Sequence, residues 1–118
     1  MRPTADAATE ARLDRLFHAL ADSTRREILR LTATESRRVT DLAEPFAMSL
    51  NAVSKHIKVL EEVGLLSRTI DGRVHRCRLN AQPLADVAAV VAYYRRFWEH
   101  QLDQLDRTLE EMEPPCPE

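Results

Sequence analysis

The stretch from Ser49 to Leu79 narrows the choice of fold more than any other part of the chain. Ser49 is a favoured N-cap type, and Leu50, Val53, Ile57 and Leu60 follow at helical spacing. A helix is therefore predicted from Ser49 to about Val63, with those four residues as its buried stripe. Gly64 stands where a helix-terminating residue in the left-handed region is expected. Two strand-like runs follow, residues 65–70 and 73–79, with only Asp71-Gly72 between them, a strong short hairpin signature. A capped helix that stops at glycine and runs straight into a hairpin fits few architectures. Both glycines of the chain lie in this stretch, which leaves little backbone elsewhere free to cradle a phosphate.

Two helices are predicted before it. From Ala11 the apolar residues Leu13, Leu16, Phe17 and Leu20 share one face, while residues 1–9 read as a flexible arm. Asp22-Ser23 interrupts and caps, and a second helix over residues 23–33 carries Ile28, Leu29 and Leu31. Val39 is expected in a short strand leading to Thr40, the N-cap of a brief helix holding Leu42 and Ala43; Pro45 keeps that helix short. After the hairpin, Pro83 opens a long final helix, Leu84–Met112. Its apolar positions, Leu84, Val87, Val91, Tyr94, Trp98, Leu102, Leu105, Leu109 and Met112, recur every three or four residues. One small core cannot cover a stripe of that length, so a second copy of the chain is expected against it. Residues 113–118 form a proline-rich tail.

The fold class is thus mainly α with a small β-hairpin, in one domain over residues 10–112, as suits a chain of 118 residues. The net charge of −2 conceals an uneven layout. Residues 1–48 balance eight basic against eight acidic side chains, and residues 81–118 carry three basic against eight acidic. Only residues 49–80 are net basic, six against three. Cys77 and Cys116 have neither metal-ligand spacing nor the pattern of a disulfide framework. There is no apolar run of signal-peptide or membrane-span length, so a cytoplasmic protein with no membrane partner is expected.

Short helix, turn, capped helix and hairpin together describe a winged helix-turn-helix. A helix fits the major groove of duplex DNA and its outward side chains reach base edges. On the helix after Ser49 the outward residues are Asn51, Ala52, Ser54, Lys55 and Lys58. Asparagine pairs bidentately with adenine, an alanine methyl suits a thymine methyl, and serine and lysine suit bases or phosphates. Arg68, Arg73, His75, Arg76 and Arg78 decorate the hairpin, placing its tip along the neighbouring backbone or in the minor groove. A winged-helix module that binds proteins without reading DNA is the alternative; an apolar outer face on that helix would favour it. No nucleophile–base arrangement, carboxylate pair or Gly-rich phosphate loop is present, so no enzymatic activity and no cofactor are expected.

Three runs carry a family resemblance: residues 20–29 (LADSTRREIL), residues 49–65 (SLNAVSKHIKVLEEVGL) and Asp71-Gly72-Arg73. The chain resembles the ArsR/SmtB-type repressors over about residues 10–110. The resemblance implies a winged helix-turn-helix homodimer, paired through its first and last helices, that represses transcription and often releases DNA on binding an inducer, here unknown. It places the recognition helix over Ser49 to Lys58, including His56, puts Arg73 on the wing, and draws Leu13, Leu16 and Phe17 into the interface beside Tyr94, Trp98, Leu102, Leu105 and Leu109. Metal-sensing members carry two cysteines around a valine where this chain has Arg38-Val39-Thr40, which are not soft-metal ligands. Of the family's second site only His100 and Asp103 have counterparts, and the partner histidine is replaced by Ala89, so no metal site is expected. Cys77 is expected as a small buried hydrophobe, with redox sensing the less favoured reading.

Overall fold

A computed structural model describes residues 7–112. The element order is α1 (Ala7–Leu20), α2 (Ser23–Leu31), β1 (Arg37–Arg38), α3 (Val39–Ala43), α4 (Leu50–Glu62), β2 (Leu66–Asp71), β3 (Val74–Leu79) and α5 (Leu84–Met112). The chain divides after Val87 into two compact units, so the first turn of α5 belongs with the preceding elements.

In the first unit, Leu16 and Ala19 of α1, Ile28 and Leu29 of α2, Leu42 of α3, and Val53, Ile57 and Leu60 of α4 form one buried cluster with Leu65, Leu66 and Cys77. Truncating one of its large side chains to alanine costs about 2–5 kcal/mol, because the packing around it closes only partly. The strands form an antiparallel sheet in the order β1-β3-β2. Arg37 pairs with Cys77 and Arg38 with Arg76, while β2 pairs along the whole of β3 from Leu66–Leu79 to Asp71–Val74. The backbone N–H of Leu79 donates to Thr32 O at 3.1 Å, tying the sheet to the end of α2.

Helix ends follow local chemistry. The Asp22 carboxylate accepts the N–H of Arg25 at 3.1 Å and starts α2. The buried hydroxyl of Thr32 donates to the carbonyls of Ile28 and Leu29, closing α2 two residues short of the expected Ala33. At the end of α4, Gly64 takes φ +79°, its N–H reaches Glu61 O at 3.0 Å, and that of Leu65 reaches Leu60 O at 2.9 Å. This is a Schellman closure, with buried Leu60 and Leu65 as its apolar pair.

Four expectations are corrected. First, α1 already begins at Ala7, so residues 7–9 are helical; residues 1–6 and the tail at 113–118 lie outside the described residues. Second, the short strand is Arg37–Arg38 and α3 starts at Val39, with Arg38 rather than Thr40 in the N-cap position. Pairing with Arg76 and Cys77 holds residues 37–38 extended, and the Arg38 side chain reaches forward to Asp41 at 3.0 and 3.1 Å. Third, the two-residue hairpin loop is Gly72-Arg73, not Asp71-Gly72, because Asp71 still pairs with Val74. Gly72 takes φ +62° at the first loop position, where a tight turn of the II′ kind favours glycine. Fourth, Leu50 is not buried with the rest of its stripe: Val53, Ile57 and Leu60 are fully buried, whereas Leu50 is 48% exposed. It occupies the first turn of α4, and the core ends one turn short of it.

The second unit contains the rest of α5. Val91, Tyr94, Phe97, Trp98, Leu102, Leu105, Leu109 and Met112 are all exposed along it. No described helix is long and apolar enough to cross a membrane.

Candidate nucleic-acid interface

The geometry centres on α4. Ser49 Oγ accepts the N–H of Ala52 at 3.1 Å, and Ser49 O accepts that of Val53 at 3.1 Å, so the helix starts cleanly at Leu50. Its inner face is sealed against α2, α3 and β2. Ser49, Leu50, Asn51, Lys55 and Lys58 are exposed, and Ala52, Ser54 and His56 are half-buried. Asn51, Lys55 and Lys58 thus stand free on the side opposite the core.

The hairpin makes the wing. The loop shift puts Arg73 at its tip, and Arg76 and Arg78 point outward on alternate positions of β3. On the opposite face Cys77 is buried and His75 half-buried. Arg68 is committed within the protein. Its Nη2 and Nε donate to the two carboxylate oxygens of Glu61 at 2.6 and 3.2 Å, and its Nη1 donates to Nδ1 of His75 at 3.0 Å. The bond to Glu61, outweighing partial burial, holds Arg68 above its ordinary pKa. A fork–fork pair of this kind fixes orientation as well as charge, so β2 is braced against the last turn of α4. A groove between them is lined by Ser54, Lys58, Glu61, Glu62 and Arg68.

Arg38, Val39 and Thr40 line a separate cleft with Arg68, Arg73, Val74 and His75. It offers no carboxylate, imidazole pair or thiolate for a metal, and no group of three or more His, Cys, Asp or Glu is arranged as a ligand set among the described residues. Cys77 is fully buried, and burial pushes its thiol above the ordinary value despite the nearby Arg68. His100 and Asp103 lie exposed on α5.

Of the residues expected at a dimer interface, Tyr94, Trp98, Leu102, Leu105, Leu109 and Phe17 are exposed, and Leu13 is half-buried. Leu16 is corrected: it is fully buried in the core of its own chain and presents no surface to a partner. Three further residues stand out only in the structure. Phe97 adds to the exposed face of α5, its signal being its place beside Trp98 within the helical repeat. Glu61, on α4 itself, holds Arg68 of the wing, and Arg25 of α2 holds His56 of α4; no local pattern marks either contact.

A capped helix with a polar free face, braced by two helices and flanked by a basic hairpin, is the arrangement of winged helix-turn-helix transcriptional regulators. A helix-turn-helix domain family matches residues 20–69, from the end of α1 into β2. The transcriptional repressor SdpR of Bacillus subtilis is 31% identical over 74 residues, covering 63% of this chain and 82% of that protein. A crystal structure of the ArsR family transcriptional regulator RHA00566 superposes with a TM-score of 0.74 at 35% identity, covering 81% of this chain and 97% of that one. The homodimeric winged helix-turn-helix DNA-binding domain of Mb0332 from Mycobacterium bovis is 28% identical with a TM-score of 0.62, covering 81% and 91%. The chain belongs to the ArsR family.

Proposed function

We propose that the protein represses transcription as a homodimer that reads an inverted-repeat operator in duplex DNA. The observation that carries this is the free face of α4, where Asn51, Lys55 and Lys58 project beside a wing tipped by Arg73. The repressor named among its relatives and the homodimeric domain among its structural neighbours support the direction of regulation and the assembly. So does the exposed apolar face from Tyr94 to Leu109, which a monomer leaves in water and a second copy covers, with Phe17 and Leu13 of α1 contributing. A two-fold dimer then calls for half-sites about one helical turn, about 10 bp, apart or a small multiple of it. This is a binding role without catalysis, exercised in the cytoplasm where the DNA is.

The test joins sedimentation with gel-shift binding to duplexes enriched from a random library. The expected result is a dimer at micromolar concentration that binds an enriched inverted repeat at least a hundredfold more tightly than random duplex. A stable monomer would overturn the assembly, and no binding to any duplex at low salt would put the protein-interaction module ahead. With Arg38-Val39-Thr40 in place of thiolates and Ala89 in place of a histidine, zinc, cadmium and arsenite should leave DNA binding unchanged. A stoichiometric tight zinc site found by titration would contradict that.

A further inference from the structure

We infer that Leu50 is a specificity-determining residue for DNA reading, its side chain packing on a thymine 5-methyl group in the major groove. The inference rests on the DNA-reading role proposed for α4. Leu50 lies three residues before Val53 on one helical stripe, yet Val53 is fully buried and Leu50 is 48% exposed. Met48, just before the cap, is 39% exposed, so two large apolar side chains flank Ser49 at the free end of the helix. Around them stand Ser49, Asn51 and Lys55, all exposed. The apolar pair is therefore set within the polar surface expected to meet DNA.

Helix formation does not call for leucine here. Glutamine, lysine and arginine are comparable helix formers and end in a polar group that water solvates, as the leucine isobutyl group does not. Among the groups that base pairs display in the major groove, one is apolar: the C5 methyl of thymine. Asn51, the next residue, suits adenine. The two side chains together suit a site containing a T·A pair next to, or shared with, the adenine that Asn51 reads. A lone exposed leucine is ordinary on protein surfaces, so the decisive property is dependence on the methyl group itself.

The probe is the duplex that the wild-type protein enriches from a random-sequence library, with thymines replaced by deoxyuridine in symmetric pairs. Each replacement removes one methyl per half-site and leaves every hydrogen bond in place. One symmetric pair should weaken wild-type binding by about fourfold per half-site, the value of burying one methyl-sized group. Leu50→Ala should bind the thymine duplex less tightly and give a thymine-to-uracil ratio near one. Leu50→Met, still apolar and long enough to reach, should keep a ratio above one. The inference is overturned if no thymine is sensitive in the wild type, or if Leu50→Ala keeps the wild-type ratio. It is also overturned if Leu50→Ala changes the sedimentation of the free protein, because a second copy then covers the leucine. Failure to enrich any duplex would instead remove the DNA-reading role, and this inference with it.

Discussion

Nη1 of Arg25 lies 3.1 Å from Nδ1 of His56, and this contact joins the first turn of α2 to the middle of the recognition helix. Arginine only donates, so Nδ1 is the acceptor in this contact. The same guanidinium donates from Nε to Ala19 O at 2.7 Å and from Nη2 to His18 O at 2.9 Å. Arg26 adds a bond to Leu20 O at 2.7 Å. Cations thus sit on the last carbonyls of α1, where the helix dipole favours them, and each guanidinium nitrogen of the buried Arg25 has a hydrogen-bond partner. One side chain pins three helices, including the one that carries Asn51 and Lys55.

Arg25→Ala should therefore destabilise the fold by about 2–4 kcal/mol, since it strands two carbonyls and an imidazole nitrogen in a partly closed site. Lysine has no planar fork and should recover only part of the loss. Urea unfolding is the measurement: the midpoint should fall with little change in slope. A loss under about 0.5 kcal/mol would show that Arg25 is not structural.

Asp22 gives a pH-dependent counterpart. Partial burial pushes its carboxyl up, but the backbone N–H of Arg25 and the Arg25 guanidinium pull it down further, leaving it below the ordinary value. A depressed carboxyl contributes stability that is fully present above the unfolded value of about 4 and is lost as the pH falls through the folded one. Asp22→Ala should cost about 1 kcal/mol at neutral pH, as loss of an N-cap does. That gap should narrow in thermal melts run below about pH 4. Asp22→Asn keeps the cap and should remove the acid-dependent part; a gap that stays constant into acid would refute the assignment.

Much of this could be read from residue order, and the misses have physical causes. Ser49, Asp22 and Gly64 act through neighbours within a few positions, so cap and stop chemistry were visible locally. The Asp71-Gly72 pair marked the hairpin but not which of its residues turn, since glycine serves either loop position and the β2–β3 register decides. Periodicity placed Leu50 on the correct face of α4 but carries no information on where the core stops along the axis. β1 has no apolar alternation at all; it is a strand because Arg76 and Cys77 pair with it. Nothing local marks Arg25 and Glu61, because their partners lie on other elements, His56 across 31 positions and Arg68 across seven.

Cys77 should be inert in the native protein. Its thiol is fully buried and pushed up by that burial, and the thiolate is the reactive form. In a Cys116→Ser background, an aromatic disulfide reagent should leave Cys77 unmodified while the protein is folded and react fully in denaturant. Rapid labelling of the folded protein would reopen the redox-sensing reading.

The final expectation separates side chains that read bases from those that attract phosphates. Asn51 is exposed near the start of α4 and suits a bidentate base contact, so Asn51→Ala should weaken an enriched operator by about 1–3 kcal/mol and barely alter random-duplex binding. Arg73, exposed at the wing tip, should act on both duplexes. Its replacement by alanine should lower the salt slope by about one unit per lost phosphate contact. Arg68 is the internal control. Its charge is already matched by Glu61 at 2.6 Å, so Arg68→Ala should leave the salt slope close to wild type even if the loosened wing weakens binding. A competition series over salt, with wild type and the three variants on operator and random duplex, gives all these quantities together. Equal losses on both duplexes would remove Asn51 from the base-reading set. A full unit lost from the slope by Arg68→Ala would mean that DNA draws the arginine away from Glu61.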